Sequence, residues 1–162
     1  HLRDAGIFVV LSACHDGPSC NTVAAPLSLY DSVFSVGAID QFGNMAPFSS
    51  RGPVTADGSG RSKPDIVAPG VDIFSSTPGG GYGFASGTSM AGPHLVGVVA
   101  LLWSADPSLI GDIDRTEQLI IETAQPYSGD TSSGCFEGGM PNAAYGYGMV
   151  DVYAAVKDLL DK

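Results

Sequence analysis

The pattern of apolar positions predicts short buried strands in the first part of the chain. Continuous apolar runs at 7–12 and 33–39 are rich in β-branched and aromatic residues and are followed by turn residues. Such runs are typical of strands that are covered on both faces in a parallel sheet. A third, shorter strand is predicted at 66–68, where Pro64 and Pro69 bracket the run.

The rest of the chain predicts a hairpin followed by helices. Segments 71–76 and 82–86 flank a Pro-Gly-Gly-Gly turn and form the predicted hairpin. Helices are predicted at 89–104, 112–124 and 151–160. The first is apolar on nearly every face, so we expect it to be buried through the middle of a domain. Asp112 is the expected N-cap of the second helix, and no element is predicted in the glycine- and serine-rich segment 125–144.

Length and charge narrow the class of protein. The 162 residues are one domain's worth of sequence, and 44% of them are hydrophobic, which is enough for a proper core. The chain carries 7 basic and 17 acidic residues, a formal net charge of -10. This charge argues against nucleic acid or an anionic membrane as a partner. No continuous apolar run is long enough to span a bilayer, and the acidic, glycine-rich composition favours a secreted enzyme.

The three cysteines allow at most one internal disulfide. Cys20 and Cys135 both lie in polar segments rich in turn residues, whereas Cys14 closes an apolar strand. We therefore predict a bond between Cys20 and Cys135, which would form in an oxidising compartment. The alternative is that all three thiols are reduced.

Ser89 lies where the predicted hairpin leads into the long apolar helix, within the string Gly-Thr-Ser-Met-Ala-Gly-Pro-His at 87–94. A serine hydroxyl needs a base to become nucleophilic, and a helix N-terminus supplies free backbone N–H groups that stabilise an oxyanion. Gly87 allows a sharp turn and the close approach of a substrate. The alternative is that Thr88 or Ser89 only caps the helix.

The string at 87–94 resembles the nucleophile motif of the subtilisin-like serine peptidases (subtilases). The string Lys-Pro-Asp-Ile-Val-Ala-Pro-Gly at 63–70 precedes it in the order found in that family. The resemblance continues at 35–38, 48–53 and 145–151, so it covers almost the whole chain. From these strings the chain is identified as a member of the subtilases.

The resemblance implies an α/β fold of three layers with a mostly parallel sheet, of which residues 1–162 form the C-terminal half of one catalytic domain. It implies a secreted endopeptidase that hydrolyses peptide bonds through an acyl-enzyme on Ser89. In subtilases the catalytic residues follow the order Asp, His, Ser, so the Asp and the His are expected upstream of residue 1. This chain alone is then expected to be nearly inactive.

The resemblance also sets expectations for partners and cofactors. The partners are a peptide or protein substrate and the missing N-terminal half of the same domain, with no nucleic acid and no membrane. No cofactor is required. Subtilases often bind calcium, and the loop at 24–31 lies where some carry a cation site, but its sequence shows no ligand set.

His15 departs from the family pattern. The family's strand ends in Ala-Gly-Asn-x-Gly, and the Asn donates to the oxyanion, whereas this chain has Ala-Cys-His-Asp-Gly at 13–17. His15 stands at the Asn position, where a ring N–H would still serve as a donor. The alternatives are that the site is inactive or that the ring blocks it. Ser12, Ala13 and Cys14 are expected to line the substrate-binding wall, and the Cys14 side chain would narrow it.

Other chemistry finds less support in the sequence. His1 is terminal, and His94 follows Ser89 on the same helix, where we interpret it as a structural residue that holds the helix start. Neighbouring residues on a strand point to opposite faces, which argues against a nucleophile made of Cys14 and His15. The sequence has no nucleotide-binding glycine motif and no CxxC or HExxH metal pattern. The alternative function is a catalytically inactive, subtilase-derived module that binds peptides or serves as a scaffold, which the change at His15 supports.

Overall fold

A computed structural model, which describes residues 2–129, 135 and 139–161, has a three-stranded parallel sheet at its centre. The strands are β1 (Val10–Ser12), β2 (Phe34–Ile39) and β3 (Ile66–Pro69). They lie in the order β1-β2-β3, and both neighbouring pairs are parallel. The central strand β2 is buried at every position, which explains its run of apolar and small residues.

The first strand is shorter than the run at 7–12 predicted. The N–H of Phe34, the first residue of β2, donates to the carbonyl of Val9 at 2.9 Å. The register then runs from the pair Val10 and Phe34 to the pair Ser12 and Val36. Because β2 begins at Phe34, the residues before Val9 have no strand beside them in the described part of the chain.

Three helices and a hairpin follow the sheet. The hairpin strands β4 (Ile73–Thr77) and β5 (Gly81–Ala85) are antiparallel, and they lead into α1 (Thr88–Ala105). The later helices are α2 (Ile113–Glu122), which Asp112 caps as predicted, and α3 (Val152–Leu160). Helix α1 packs across all three strands of the sheet and against α3.

The core lies on both faces of the sheet. On one face, buried residues of β2 and β3 pack against buried residues of α1, including Val36, Ala38, Ile66, Leu95 and Leu102. On the opposite face, Ile39, Met45 and Val67 pack against Tyr127, Tyr145 and Met149. Helices therefore cover one face of the parallel sheet in the described residues, and irregular segments cover the other.

Helix α1 is buried on one face only, which corrects the expectation that it would be buried all round. Its buried residues include Leu95, Val98 and Leu102, whereas Val96 is 52% exposed and Leu101 54% exposed. With 18 residues it is long and apolar enough to cross a membrane by length and composition, although 39% of it is buried in this fold. Its packing on the sheet accounts for the apolar residues of the inner face, and the outer apolar face has no cover in the described residues.

Candidate active site

Ser89 is the second residue of α1, and its side chain is exposed. The N–H of Gly87 donates to Gly70 O at 2.7 Å, which joins the helix start to the end of β3. The N–H groups of Met90 and Ala91 turn back to Gly87 O, at 3.0 and 3.3 Å. The N–H of Ser89 has no acceptor among the described residues, so it is available to bind an oxyanion at the positive end of the helix.

A cavity of about 410 Å³ opens beside Ser89. Strand β4, strand β5 and the first turns of α1 form its walls, with lining residues that include Ile73, Thr77, Ala85, Met90, Pro93 and His94. The cavity therefore lies in the size range of small-ligand pockets, beside the hydroxyl of Ser89.

Two of the three residues expected on the substrate wall lie at the site. Ser12 ends β1, and its Oγ lies 3.4 Å from the Oγ of Ser89. Cys14 has a left-handed backbone with φ 78°, and its carbonyl accepts from Thr88 Oγ1 at 3.4 Å. Ala13 is 0% exposed, so its side chain faces the core rather than an open substrate wall.

His15 lies against the start of α1, but with a different hydrogen bond from the one expected. Its Nε2 is 2.8 Å from the backbone nitrogen of Thr88, which donates. Nε2 is therefore an acceptor in this arrangement. The contact joins residues 73 positions apart, and sequence reasoning missed it because no local pattern encodes such a pairing.

Neither described histidine is hydrogen-bonded to the hydroxyl of Ser89. The Nδ1–H of His94 donates to Met90 O, one helical turn back, at 2.9 Å. His94 is thus hydrogen-bonded to the helix, as its structural interpretation predicted, although its side chain is exposed. His1 lies outside the described residues. The described part of the chain therefore shows no hydrogen-bonded general base for Ser89.

The structure joins Cys20 to Cys135 in a disulfide, with the Cα atoms 5.4 Å apart. This is the pairing that the sequence analysis preferred, and Cys14 is the free cysteine. The bond ties the loop after β1 to a segment 115 residues later. It therefore links the loop that carries His15 to the C-terminal part of the chain.

No metal site is evident in residues 2–129, 135 and 139–161. No group of three or more His, Cys, Asp or Glu side chains is placed there to hold an ion. In the loop at 24–31, Ser28 Oγ donates to Ala25 O at 3.0 Å and Tyr30 N–H donates to Leu27 O at 3.2 Å. The carbonyl of Leu29 is also occupied, because it accepts from Arg61 Nη2 at 2.9 Å.

The sequence matches proteins of one family. The subtilase family model matches residues 1–148. Bacillopeptidase F of Bacillus subtilis (strain 168) is 40% identical over an alignment of 166 positions, which covers 98% of this chain and 11% of that protein. Subtilisin E of the same strain is 35% identical over an alignment of 155 positions, which covers 94% of this chain and 34% of that protein.

Solved structures share the fold. The patellamide maturation protease PatA has a TM-score of 0.75 and 29% identity, over 99% of this chain and 54% of that chain. The prenylagaramide maturation protease PagA has a TM-score of 0.75 and 26% identity, over 98% of this chain and 52% of that chain. The chain thus spans about half of these structures and a smaller share of the two sequence relatives. Because the match takes in the parallel sheet, the start of α1 and Ser89, the chain belongs to the subtilase family.

Proposed function

We propose that the protein containing this chain is a serine endopeptidase in which Ser89 attacks the carbonyl carbon of a peptide bond. The observation that carries the proposal is the position of Ser89 at the start of α1, with an exposed hydroxyl and an N–H that has no acceptor among the described residues. Membership of the subtilase family supports the same chemistry.

The reaction follows from the groups around Ser89. Attack by Oγ gives a tetrahedral intermediate whose oxyanion lies beside the Ser89 N–H, at the positive end of α1. A general base takes the hydroxyl proton and gives it to the leaving amine, which leaves an ester between Ser89 and the acyl group. Water activated by the same base hydrolyses the ester and restores the serine.

The base and the acid that orients it come, in this proposal, from protein outside the sequence of this chain. His15 is bonded to Thr88, and His94 is bonded to Met90. The sequence relatives and solved structures extend well beyond the matched region, so they have room for further catalytic residues. Without a base, this chain on its own is expected to be nearly inactive.

We propose that the part of the protein that supplies the general base also covers the outer face of α1. Val96 and Leu101 are more than half exposed on a helix that begins at the proposed nucleophile. Apolar side chains on this face gain stability when another part of the domain buries them. A segment that covers this face would pack along the same helix that carries Ser89 near its start.

Peptide hydrolysis by the full-length protein tests the proposal. We expect cleavage of an unstructured protein substrate, and we expect Ser89→Ala to lower kcat by about a million-fold, the loss found when the nucleophile of a subtilisin is removed. Ser104→Ala, near the other end of α1, is the matched control and should keep full activity. Equal activity of the wild type and Ser89→Ala would overturn the proposal.

A non-catalytic, peptide-binding module is the second candidate, and the acceptor role of His15 favours it. Nε2 accepts from the Thr88 N–H and so does not itself serve as the oxyanion donor that the family pattern has at this position. This alternative predicts a full-length protein that binds peptides without cleaving them, and a Ser89→Ala variant that binds equally well. Cleavage that depends on Ser89 excludes it.

We further propose that the protein is secreted. The disulfide between Cys20 and Cys135 and the acidic composition support an oxidising, extracellular compartment. Detection of the protein in the culture medium of the producing cells, with both cysteines oxidised, is the expected result. A protein retained in the cytosol with reduced thiols would contradict it.

A further inference from the structure

The ring of His15 lies directly on the backbone of Gly87. A Cβ atom at Gly87 would be 2.8 Å from Cε1 and 2.9 Å from Nε2 of the ring. Real Cβ atoms do not approach other atoms so closely, so the ring can lie here because residue 87 is glycine. The ring also meets Phe48 edge to face, with centroids 5.1 Å apart. His15 is therefore held between the helix start and the segment that carries Phe48.

The hydrogen bond to Thr88 fixes which ring nitrogen carries the proton. A backbone N–H can only donate, so Nε2, at 2.8 Å from Thr88 N, accepts and carries no proton. In the neutral ring the proton is then on Nδ1. An acceptor also suits the positive end of a helix, whereas an imidazolium there would be repelled.

The surroundings of the ring contain few charges. Cys14 and Asp16 flank it on its own loop, and the N–H of Asp16 donates to Ser50 Oγ at 2.9 Å. The first turn of α1 has no acidic or basic residue, and the segment 46–50 has no charged residue. Asp16 is thus the one carboxylate on the three segments around the ring.

We propose that neutral His15 is a positioning residue for the reaction of Ser89, an inference that rests on the proposed function. By accepting the Thr88 N–H, its Nε2 fixes the turn from Gly87 to Ser89 and aims the Ser89 N–H at the oxyanion. The role requires an unprotonated ring, because an imidazolium has no lone pair for Thr88. At the position where the family pattern has a donor, this chain has an acceptor that acts on the backbone.

Ring-nitrogen NMR of the full-length protein tests the hydrogen bond without any need for activity. With uniform ¹⁵N labelling, and the His15 signals assigned by their loss in His15→Gln, we expect a protonated Nδ1 and a bare Nε2 at neutral pH. A proton on Nε2 would overturn the inference, since Thr88 could not then donate to it.

Truncation separates positioning from binding. His15→Ala removes the acceptor, and we expect kcat to fall by about ten-fold, the order expected for one lost hydrogen bond, with KM unchanged. A raised KM with unchanged kcat would overturn the positioning role.

If the full-length protein cleaves no peptide, the proposed function fails while the NMR result still decides the state of His15. If it is active and His15→Ala leaves kcat unchanged, the inference about His15 fails alone.

Discussion

Lys63 carries a charge into the interior of the molecule. Its side chain is 2% exposed, and its Nζ donates to Val33 O at 2.8 Å and to Asp65 Oδ2 at 2.6 Å. The same carboxylate oxygen accepts from the N–H of Ser35 at 2.6 Å and from its hydroxyl at 2.9 Å. These bonds offset the loss of hydration of both charges. The Lys-Pro-Asp string thus ties the start of β3 to β2.

Removing one partner of this pair should be costly. Lys63→Met leaves Asp65 without its cation, and we expect the free energy of unfolding of the full-length protein to fall by about 3 to 5 kcal/mol. Urea titration measures the change. Lys157→Met, at an exposed position of α3, is the control and should change stability by less than about 0.5 kcal/mol. Equal stability of the two variants would show that the buried pair contributes little.

Single residues differ in how far the sequence reveals their role. Ser89 was found because a local string combines a turn glycine, a hydroxyl and the start of an apolar helix. The bond between His15 and Thr88 was not found, because it depends on where the fold brings two distant segments together. The inward orientation of Ala13 was missed for the same reason, since it depends on which side of the strand end the core lies.

The N-terminus of α3 is held by one carboxylate. Asp151 Oδ1 accepts from the N–H of Ala154 at 2.8 Å, and Oδ2 accepts from Gln125 Nε2 at 2.6 Å. These bonds, the backbone one above all, lower the pKa of Asp151 below its ordinary value. A lowered pKa means that the carboxylate stabilises the fold above the unfolded-state pKa, and that this contribution is lost as the pH falls through the folded-state pKa.

The cap should therefore show in a stability profile against pH. Asp151→Ala is expected to lower the free energy of unfolding by about 1 kcal/mol at neutral pH, and the difference from wild type should shrink as the pH falls below about 4. Asp161→Ala, at the other end of α3, is the control and should cause no loss, because a negative charge there opposes the helix dipole. A difference that is constant down to acid pH would contradict this account.

The bounds of α1 were nearly predictable, but its surroundings were not. The apolar run and the Asp-Pro pair after it fixed the helix within a residue at each end, at Thr88–Ala105 against the predicted 89–104. The sequence shows that α1 is apolar on nearly every face, but it does not show which other segment packs on each face. In the described residues the outer face is left open, around Val96 and Leu101.

A single substitution tests whether another part of the protein covers that face. Leu101→Glu should leave the stability of the isolated chain nearly unchanged, because Leu101 is 54% exposed there. In the full-length protein the same change should cost about 2 to 4 kcal/mol, since it would bury a charge against an apolar surface. Unfolding of both forms in urea gives the comparison. The same small effect in both would contradict the proposal that the face is covered.

At the scale of the whole molecule, the disulfide closes a loop of 115 residues around the sheet and α1. The double variant Cys20→Ser, Cys135→Ser is expected to lower the free energy of unfolding of the full-length protein by about 2 to 5 kcal/mol, and a reductant should have the same effect. Cys14→Ser is the control, because Cys14 is free. Insensitivity of the wild type to reductant would contradict the bond.

The fold class was within reach of the sequence, because the strings at 63–70 and 87–94 resemble the subtilases and that resemblance implies an α/β fold. The order of the predicted elements, strands first and helices after, would not by itself have given this class. The short extent of β1 could not be predicted, and neither could the packing of Tyr127 and Met149 on the sheet face opposite α1. Both depend on the pairing of distant segments. The composition of the two loops favoured the pairing of Cys20 with Cys135. The Cα–Cα distance of 5.4 Å that allows the bond is set by the fold.

The most direct test of the central claim is the intact mass of the full-length protein after incubation with a fluorophosphonate that esterifies activated serines. The account predicts one adduct, its loss in Ser89→Ala, its retention in Ser104→Ala, and no labelling of the isolated chain, which has no hydrogen-bonded base among its described residues. A full-length, folded protein that stays unlabelled, or that keeps its adduct in Ser89→Ala, would contradict the claim that Ser89 is the nucleophile of a serine peptidase.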